Sequence, residues 1–304
     1  MKENANQDTG FGDKASEMGG RMVNRDGSFN IKRLGIPFFT RVSSYHSMLT
    51  MPRWRFILVI FNTYFLMNCF FTLLYWLAGP SGLEGVDSGN SFSRVKELFF
   101  FSTQTFTTVG YGRVNPVGEL TNWIAAIESL IGFLSFAIAA GLLYGRFSRP
   151  RSFVRFSDKM VFTNYRDGKA LMFRLVGYKD DHILINSEIK VSTRLFSADG
   201  TYKFFNLDLE RSHVESLVLN WTVVHPIDPN SPFYGLSEQE ILALQPEISA
   251  LLIGFDEVYS STVMARNSYV LSDFLFGYRF VPMYFRGKSI TKLDLSLLDS
   301  TIPE

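Results

Sequence analysis

The chain has 304 residues, a length that allows one or two domains. Thirty basic residues stand against 29 acidic ones, so the overall charge gives no reason to expect a nucleic acid as partner. The single cysteine, Cys69, excludes an internal disulfide framework and a thiolate metal site. Thirty phenylalanines are unevenly spread, many of them between residues 56 and 147, where charge is scarce. His46, His182, His213 and His225 are scattered without helical i,i+4 pairing, and they read as structural. No nucleophile elbow, phosphate loop or zinc signature is present, so neither an enzyme nor a bound cofactor is expected.

In chain order, residues 1–36 form a tail and strand ahead of the first apolar run. Their first thirty positions are polar and glycine-rich without an apolar core, so no cleavable signal peptide is expected. Residues 1 to about 20 are expected to be disordered. Residues 37–150 are read as an amphipathic surface helix followed by a transmembrane unit. Phe56–Ala78 carries no charge over 23 residues, roughly 35 Å of helix, which crosses a bilayer with some tilt. Tyr75 and Trp76 at its far end suit the membrane interface. A short helix is expected over Ser93–Phe106, with Ser93 as its cap and Glu97 in its first turns.

The stretch TQTFTTVGYGRVNP, residues 103–116, follows that helix. Gly110 and Gly112 break any helix or strand, and Val109 between Thr108 and Gly110 resists helix. Alternating glycine permits left-handed backbone, so that successive carbonyl oxygens can form a file that replaces a cation's water. Thr108, Val109, Gly110, Tyr111 and Gly112 spell TVGYG, the sequence of potassium filters, with K+ placed at Thr108–Tyr111. One strand of carbonyls cannot surround an ion and four around an axis can, so the motif implies a homotetramer. A second span, Trp123–Phe147, carries Glu128 as its one acid and is rich in glycine and alanine, which let helices approach closely in lipid.

Arg41, Arg53 and Arg55 precede the first span, and Arg146, Arg149, Arg151 and Arg155 lie at or after the end of the second. The segment between the spans is acidic on balance, so both termini are expected in the cytoplasm. Residues 151–304 change to short apolar alternations: LMFRLVG (171–177), ILINSEIKV (183–191), TYKFFNLDL (201–209), then SLVLNWTVV, ISALLIGF and FGYRFVPMYF as further strands. Only SEQEILALQ (237–245) reads as a helix there, so the expected fold is an immunoglobulin-like β-sandwich behind a membrane α unit.

This order of elements resembles the inward-rectifier potassium channel family, over roughly residues 20–290. The local stretches that carry the resemblance are RMVNRDGSFNI (21–31), PRWRF (52–56), YGRFSRP (144–150), HPIDPNSPFYGLS (225–237) and ARNSYVLSDFLFG (265–277). Animal members carry paired extracellular cysteines, which residues 79–120 lack, and Gln104 and Val114 stand where those members have a glutamate and an arginine. The chain therefore resembles the bacterial type, in a bacterial inner membrane. The resemblance implies passive K+ conduction gated by the cytoplasmic domain and by anionic lipid. Arg53, Trp54, Arg55, Arg146, Arg149 and Arg151 resemble the lipid-binding positions, and VYSSTV (258–263), with Ser260 and Ser261, resembles a cytoplasmic constriction.

Glu128, Phe136 and Tyr144 follow one another at intervals of eight and are the cavity and gate candidates. For Glu128 a carboxyl hydrogen-bonded behind the filter is the equal alternative. The family's acid in the second span aligns with Phe136, and its lower-pore acids with Asn186 and Ile253, so block by polyamines or Mg2+ and hence rectification are expected to be weak. A non-selective cation channel, and a membrane-anchored receptor or scaffold with a vestigial pore, are the competing readings.

Overall fold

The computed structural model of the protein describes Arg21, residues 23–25, 27–31, 34–35 and 37, and residues 43–304 apart from 87–88, 198–199 and 288–289. The expected disordered tail and Arg41 lie outside the described residues. The chain divides into two compact units, Met1–Arg33 with Pro150–Glu304, and Leu34–Arg149.

The second unit is helical. Helix α1, Ser44–Thr50, is capped by the Ser43 hydroxyl accepting from the His46 amide. Helix α2, Arg53–Ala78, begins behind Pro52 and ends at Gly79 with φ 89°. It starts three residues before the expected Phe56, because the helical hydrogen bonds run on through Arg53, Trp54 and Arg55, which an apolar criterion leaves out. A two-residue strand β1, Leu83–Glu84, precedes α3, Ser91–Phe106. The cap of α3 is Asn90, whose side chain accepts from the Ser93 amide at 2.8 Å, so Ser93 lies inside the helix and not at its start. Strand β2, Asn115–Pro116, pairs antiparallel with β1 and leads into α4, Glu119–Phe147. Helices α2 and α4 have 26 and 29 residues, and within the chain only 17% of each one's most apolar window is buried. A helix of the core of a soluble domain would be mostly covered; these faces are left open by the chain itself.

The other unit packs two five-stranded sheets face to face. In one, β3 (Val154–Phe156), β4 (Met160–Tyr165) and β5 (Gly168–Gly177) are joined by β9 (Trp221–Pro226) on β5 and by β12 (Phe274–Phe276), parallel to β4. In the other, β6 (Leu184–Phe196) is flanked by β7 (Tyr202–Asn206), β8 (His213–Leu217) and β10 (Glu247–Asp256), and β11 (Ser261–Tyr269) completes the edge beyond β10. Phe173, Leu175, Ile189, Leu195, Ile248, Leu252 and Tyr269 fill the space between them. Burying such side chains contributes about 1.5–3 kcal/mol each. SLVLNWTVV, expected as one strand, is cut at residues 218–220 into β8 and β9, which belong to different sheets. FGYRFVPMYF is likewise cut, at Gly277 (φ 69°) and around Pro282, into the end of β12, β13 (Tyr278–Phe280) and the start of β14 (Tyr284–Arg286). Helix α5, Glu238–Ala243, starts on a capping box between Ser237 and Glu240.

The N-terminal stretch is built into this sandwich unit. Val23 and Phe29 bridge each other, and Arg21 and Arg25 both reach the buried Asp273, Arg25 at 2.6 Å. His225 is held between the Asp208 carbonyl at 2.6 Å and the Ser231 hydroxyl at 2.8 Å, and burial lowers its pKa. His182 meets the buried Asp256 at 2.8 Å, a carboxylate that sequence proximity does not reveal.

Within the helical unit α3 and α4 approach each other closely at Gly132. A Cβ built on Gly132 would lie 1.9 Å from the carbonyl oxygen of Phe106, the last residue of α3. That oxygen is backbone and cannot rotate away, so only glycine fits. Gly141, nine residues on, would meet nothing within the chain. Gly132→Ala is expected to lower the stability of the helical unit by about 1–3 kcal/mol, the usual cost of overpacking. Thermal unfolding of the full-length protein, with Gly141→Ala as the comparison, checks this; equal midpoints for the two variants would contradict it.

Candidate functional site

The loop after α3 carries three left-handed residues, Thr108 (φ 59°), Gly110 (φ 51°) and Gly112 (φ 80°). The two glycines were expected in that region; the threonine was not, since a β-branched side chain disfavours it. Its conformation is imposed locally. The Thr108 amide donates to the Thr105 carbonyl at 3.0 Å, and the Val109 and Gly110 amides both donate to the Gln104 carbonyl, at 2.9 and 3.2 Å. These bonds use the carbonyls left over at the end of α3 and turn the chain sharply back. At the far end the Asn115 amide nitrogen donates to the Gly112 carbonyl at 2.9 Å. Among the described hydrogen bonds, none is accepted by the carbonyls of Thr108, Val109, Gly110 or Tyr111. All five residues of TVGYG are exposed in the single chain. Four consecutive carbonyls without an internal partner are the donor set that a dehydrated cation requires.

Behind this loop lies a buried polar cluster. The Tyr75 hydroxyl of α2 donates to Glu128 Oε2 at 2.6 Å, and Ser102 of α3 meets Glu128 Oε1 at 2.5 Å. Asn68 Oδ1 lies 3.1 Å from the same serine oxygen. Glu128 is fully buried inside the subunit, so it is not a cavity-lining residue. The physical reason is helical phase: eight residues advance about 80° beyond two full turns, so Glu128 and Tyr144, sixteen apart, stand about 160° from each other around α4. Phe136 and Tyr144 are 75% and 74% exposed in the single chain.

The basic residues divide by role. Arg53, Trp54, Arg55, Arg149 and Arg151 are exposed, with the Arg55 guanidinium 5.1 Å from the centroid of the Trp54 ring. Arg146 departs from the expectation of a headgroup ligand. Its guanidinium donates to the carbonyls of Met48 at 2.5 Å and Met51 at 2.8 Å, at the end of α1, and lies over the Phe56 ring at 4.5 Å. Those carbonyls are the unsatisfied acceptors of a helix C-terminus, so the charge is engaged inside the unit. Ser260 closes the turn between β10 and β11 with φ 46°, and Ser261 opens β11; the turn is pinned by the Tyr259 amide donating to Asp256 at 2.8 Å. Asn186, also left-handed (φ 49°), sits in β6 where the pairing with β10 is irregular near Ile253.

With this geometry in view, the relationships of the chain are consistent. Residues 154–303 match the family described as the inward rectifier potassium channel C-terminal domain, and residues 57–149 match the family described as ion channel. The chain is 36% identical over 273 residues to the inward rectifier potassium channel Kirbac3.1 of Paramagnetospirillum magnetotacticum, covering 87% of this chain and 89% of that one. It is 30% identical over 295 residues to inward rectifier potassium channel 4 of Rattus norvegicus, covering 82% of this chain and 64% of the relative. Against ATP-sensitive inward rectifier potassium channel 12 of Gallus gallus the identity is 29% over 275 residues, with 82% and 63% covered. The chain thus spans somewhat less than two thirds of the length of these two vertebrate relatives. A TVGYG loop held between two membrane-length helices, and a likeness to Kirbac3.1 that runs through both units, have one account: the chain belongs to the inward-rectifier potassium channel family and is a potassium channel of its bacterial type.

Proposed function

We propose that four copies of the chain surround one axis and pass potassium through the carbonyl file of Thr108, Val109, Gly110 and Tyr111. The observation that carries this reading is the unpartnered state of those four carbonyls beside the left-handed Thr108, Gly110 and Gly112. Both termini are cytoplasmic, in line with the arginines that flank the two spans. Conduction is passive, and the bacterial inner membrane is its place. Phe136 and Tyr144 supply the apolar constrictions of the conduit, where four bulky side chains close the path by dewetting. Ser260 and Ser261 form the narrowest ring of the cytoplasmic part.

Gly110→Ala tests the filter. An added Cβ would meet nothing within the chain, so its cost is conformational: alanine at φ 51° is disfavoured by about 1–2 kcal/mol. The expected outcome in liposomes is loss of barium-sensitive rubidium uptake with the tetramer retained. Uptake like the unmodified channel's would remove the filter assignment, and sodium passing as readily as rubidium through the unmodified channel would favour the non-selective reading.

The second element is control by anionic lipid through Arg53, Arg55, Arg149 and Arg151, all exposed and each contributing about 1 kcal/mol near an anionic surface. Neutralising the four together is expected to remove the dependence of rubidium flux on anionic lipid and to leave the rubidium-over-sodium preference unchanged. A quadruple variant with its full lipid response would reduce these charges to a topological role.

The third is weak rectification. Block by internal polyamines or Mg2+ needs carboxylates along the conduit. Glu128 is inside the subunit, and the family resemblance places Phe136, Asn186 and Ile253 where other members carry acids. Phe136→Asp places four carboxylates in a confined site and is expected to strengthen spermine block markedly. Current–voltage curves with and without internal spermine decide the matter; steep rectification in the unmodified channel would overturn this reading.

A further inference from the structure

We propose that Glu97 neutralises Arg113 at the far end of the filter loop, cancelling the charge that Arg113 would set beside the ion path. The proposal rests on the filter reading above.

Arg113 follows Gly112 directly, and its guanidinium meets Glu97 Oε1 at 2.8 Å, across 16 residues of sequence. The two side chains differ in exposure: Glu97 is 13% exposed and Arg113 66%. The carboxylate is thus set into the unit, while the guanidinium reaches back to it from the loop. The backbone of Arg113 is held as well. A Cβ on Gly85 (φ 85°) would lie 2.0 Å from the Arg113 carbonyl oxygen, so the turn after β1 presses directly on that peptide. Beside it, Asn115 holds the Gly112 carbonyl at 2.9 Å, and Leu83 and Glu84 pair with Pro116 and Asn115. The loop's backbone is therefore held at both ends, by the Gln104 carbonyl at its start and by the contacts on the Arg113 peptide and the Gly112 carbonyl at its end.

The ion pair has an electrical consequence that the backbone contacts lack. In a tetramer four guanidiniums would ring the mouth of the conduit and repel an arriving cation; four carboxylates at 2.8 Å from them remove most of that field. Loss of Glu97 alone should then do more harm than loss of both charges, and the harm should fade with salt. A solvent-exposed field is largely screened beyond about 8 Å at physiological ionic strength and reaches about 30 Å at 0.01 M.

The experiment is a double-mutant cycle on the full-length channel in liposomes, with ionic strength set by a large impermeant organic cation. Glu97→Gln is expected to lower rubidium uptake several-fold at low ionic strength and far less at physiological strength. Arg113→Gln alone should keep uptake near the unmodified level, and the Glu97→Gln/Arg113→Gln pair should recover most of what Glu97→Gln loses. If Glu97→Gln fails to assemble, the exchanged pair Glu97→Arg/Arg113→Glu should restore both the tetramer and uptake. Uptake by Glu97→Gln equal to the unmodified channel's at both ionic strengths, additive losses in the cycle, or an exchanged pair that restores nothing would each overturn the proposal. Gly110→Ala, run alongside, separates the two ideas: normal uptake in that variant sinks the filter reading whatever the cycle gives.

Discussion

The contact of the Phe106 carbonyl with Gly132, together with the hydrogen bonds that converge on Glu128, fixes α3 against α2 and α4 at once. Everything after Phe106 depends on where that helix ends. The Val109 and Gly110 amides take their direction from the Gln104 carbonyl, in the last turn of α3. A tilt of α3 would move that oxygen and every carbonyl after it. In lipid there is no water to replace a broken backbone bond, so an irregular loop survives at membrane depth only when its own chain or its partners hold it.

The cluster around Glu128 supplies polar adhesion between elements that are otherwise apolar. Tyr75 and Phe101 pack edge to face with centroids 5.1 Å apart, and Phe71, Leu98 and Val114 close around them. An apolar interface alone would leave three helices free to slide, since lipid tails compete equally for such surfaces. A carboxyl bonded from both α2 and α3 defines one register. Removing a single partner would strand a buried polar group, at about 1–3 kcal/mol or more.

Much of this was legible in the sequence, and the misses have physical causes. TVGYG, the two apolar runs and the short helix at SEQEILALQ depend on neighbours in the chain, which sequence displays directly. Glu128 was read equally as a cavity candidate and as a carboxyl hydrogen-bonded behind the filter; intervals of eight look like one helix face, but the drift of about 80° per interval carries it round to the packed side, where Tyr75 and Ser102 hold it. Arg146 was counted as a headgroup ligand because its charge is visible and its acceptors, the end carbonyls of α1, are not. The attachment of Arg21 and Arg25 to Asp273 spans about 250 positions, beyond any local pattern. The splitting of SLVLNWTVV between two sheets was hidden for a related reason: a chain that changes sheet keeps its apolar alternation through the corner.

The engagement of Arg146 gears two helices together. It sits in the last turn of α4, two residues after Tyr144, and its two donors end on Met48 and Met51. Hydrogen bonds from a charged group contribute about 1.5–3 kcal/mol each, so a sliding of α1 that supplies less energy than this cannot break them. Within that limit α1 and the final turn of α4 are tied together, so a shift of the short helix is shared with the turn that carries Tyr144.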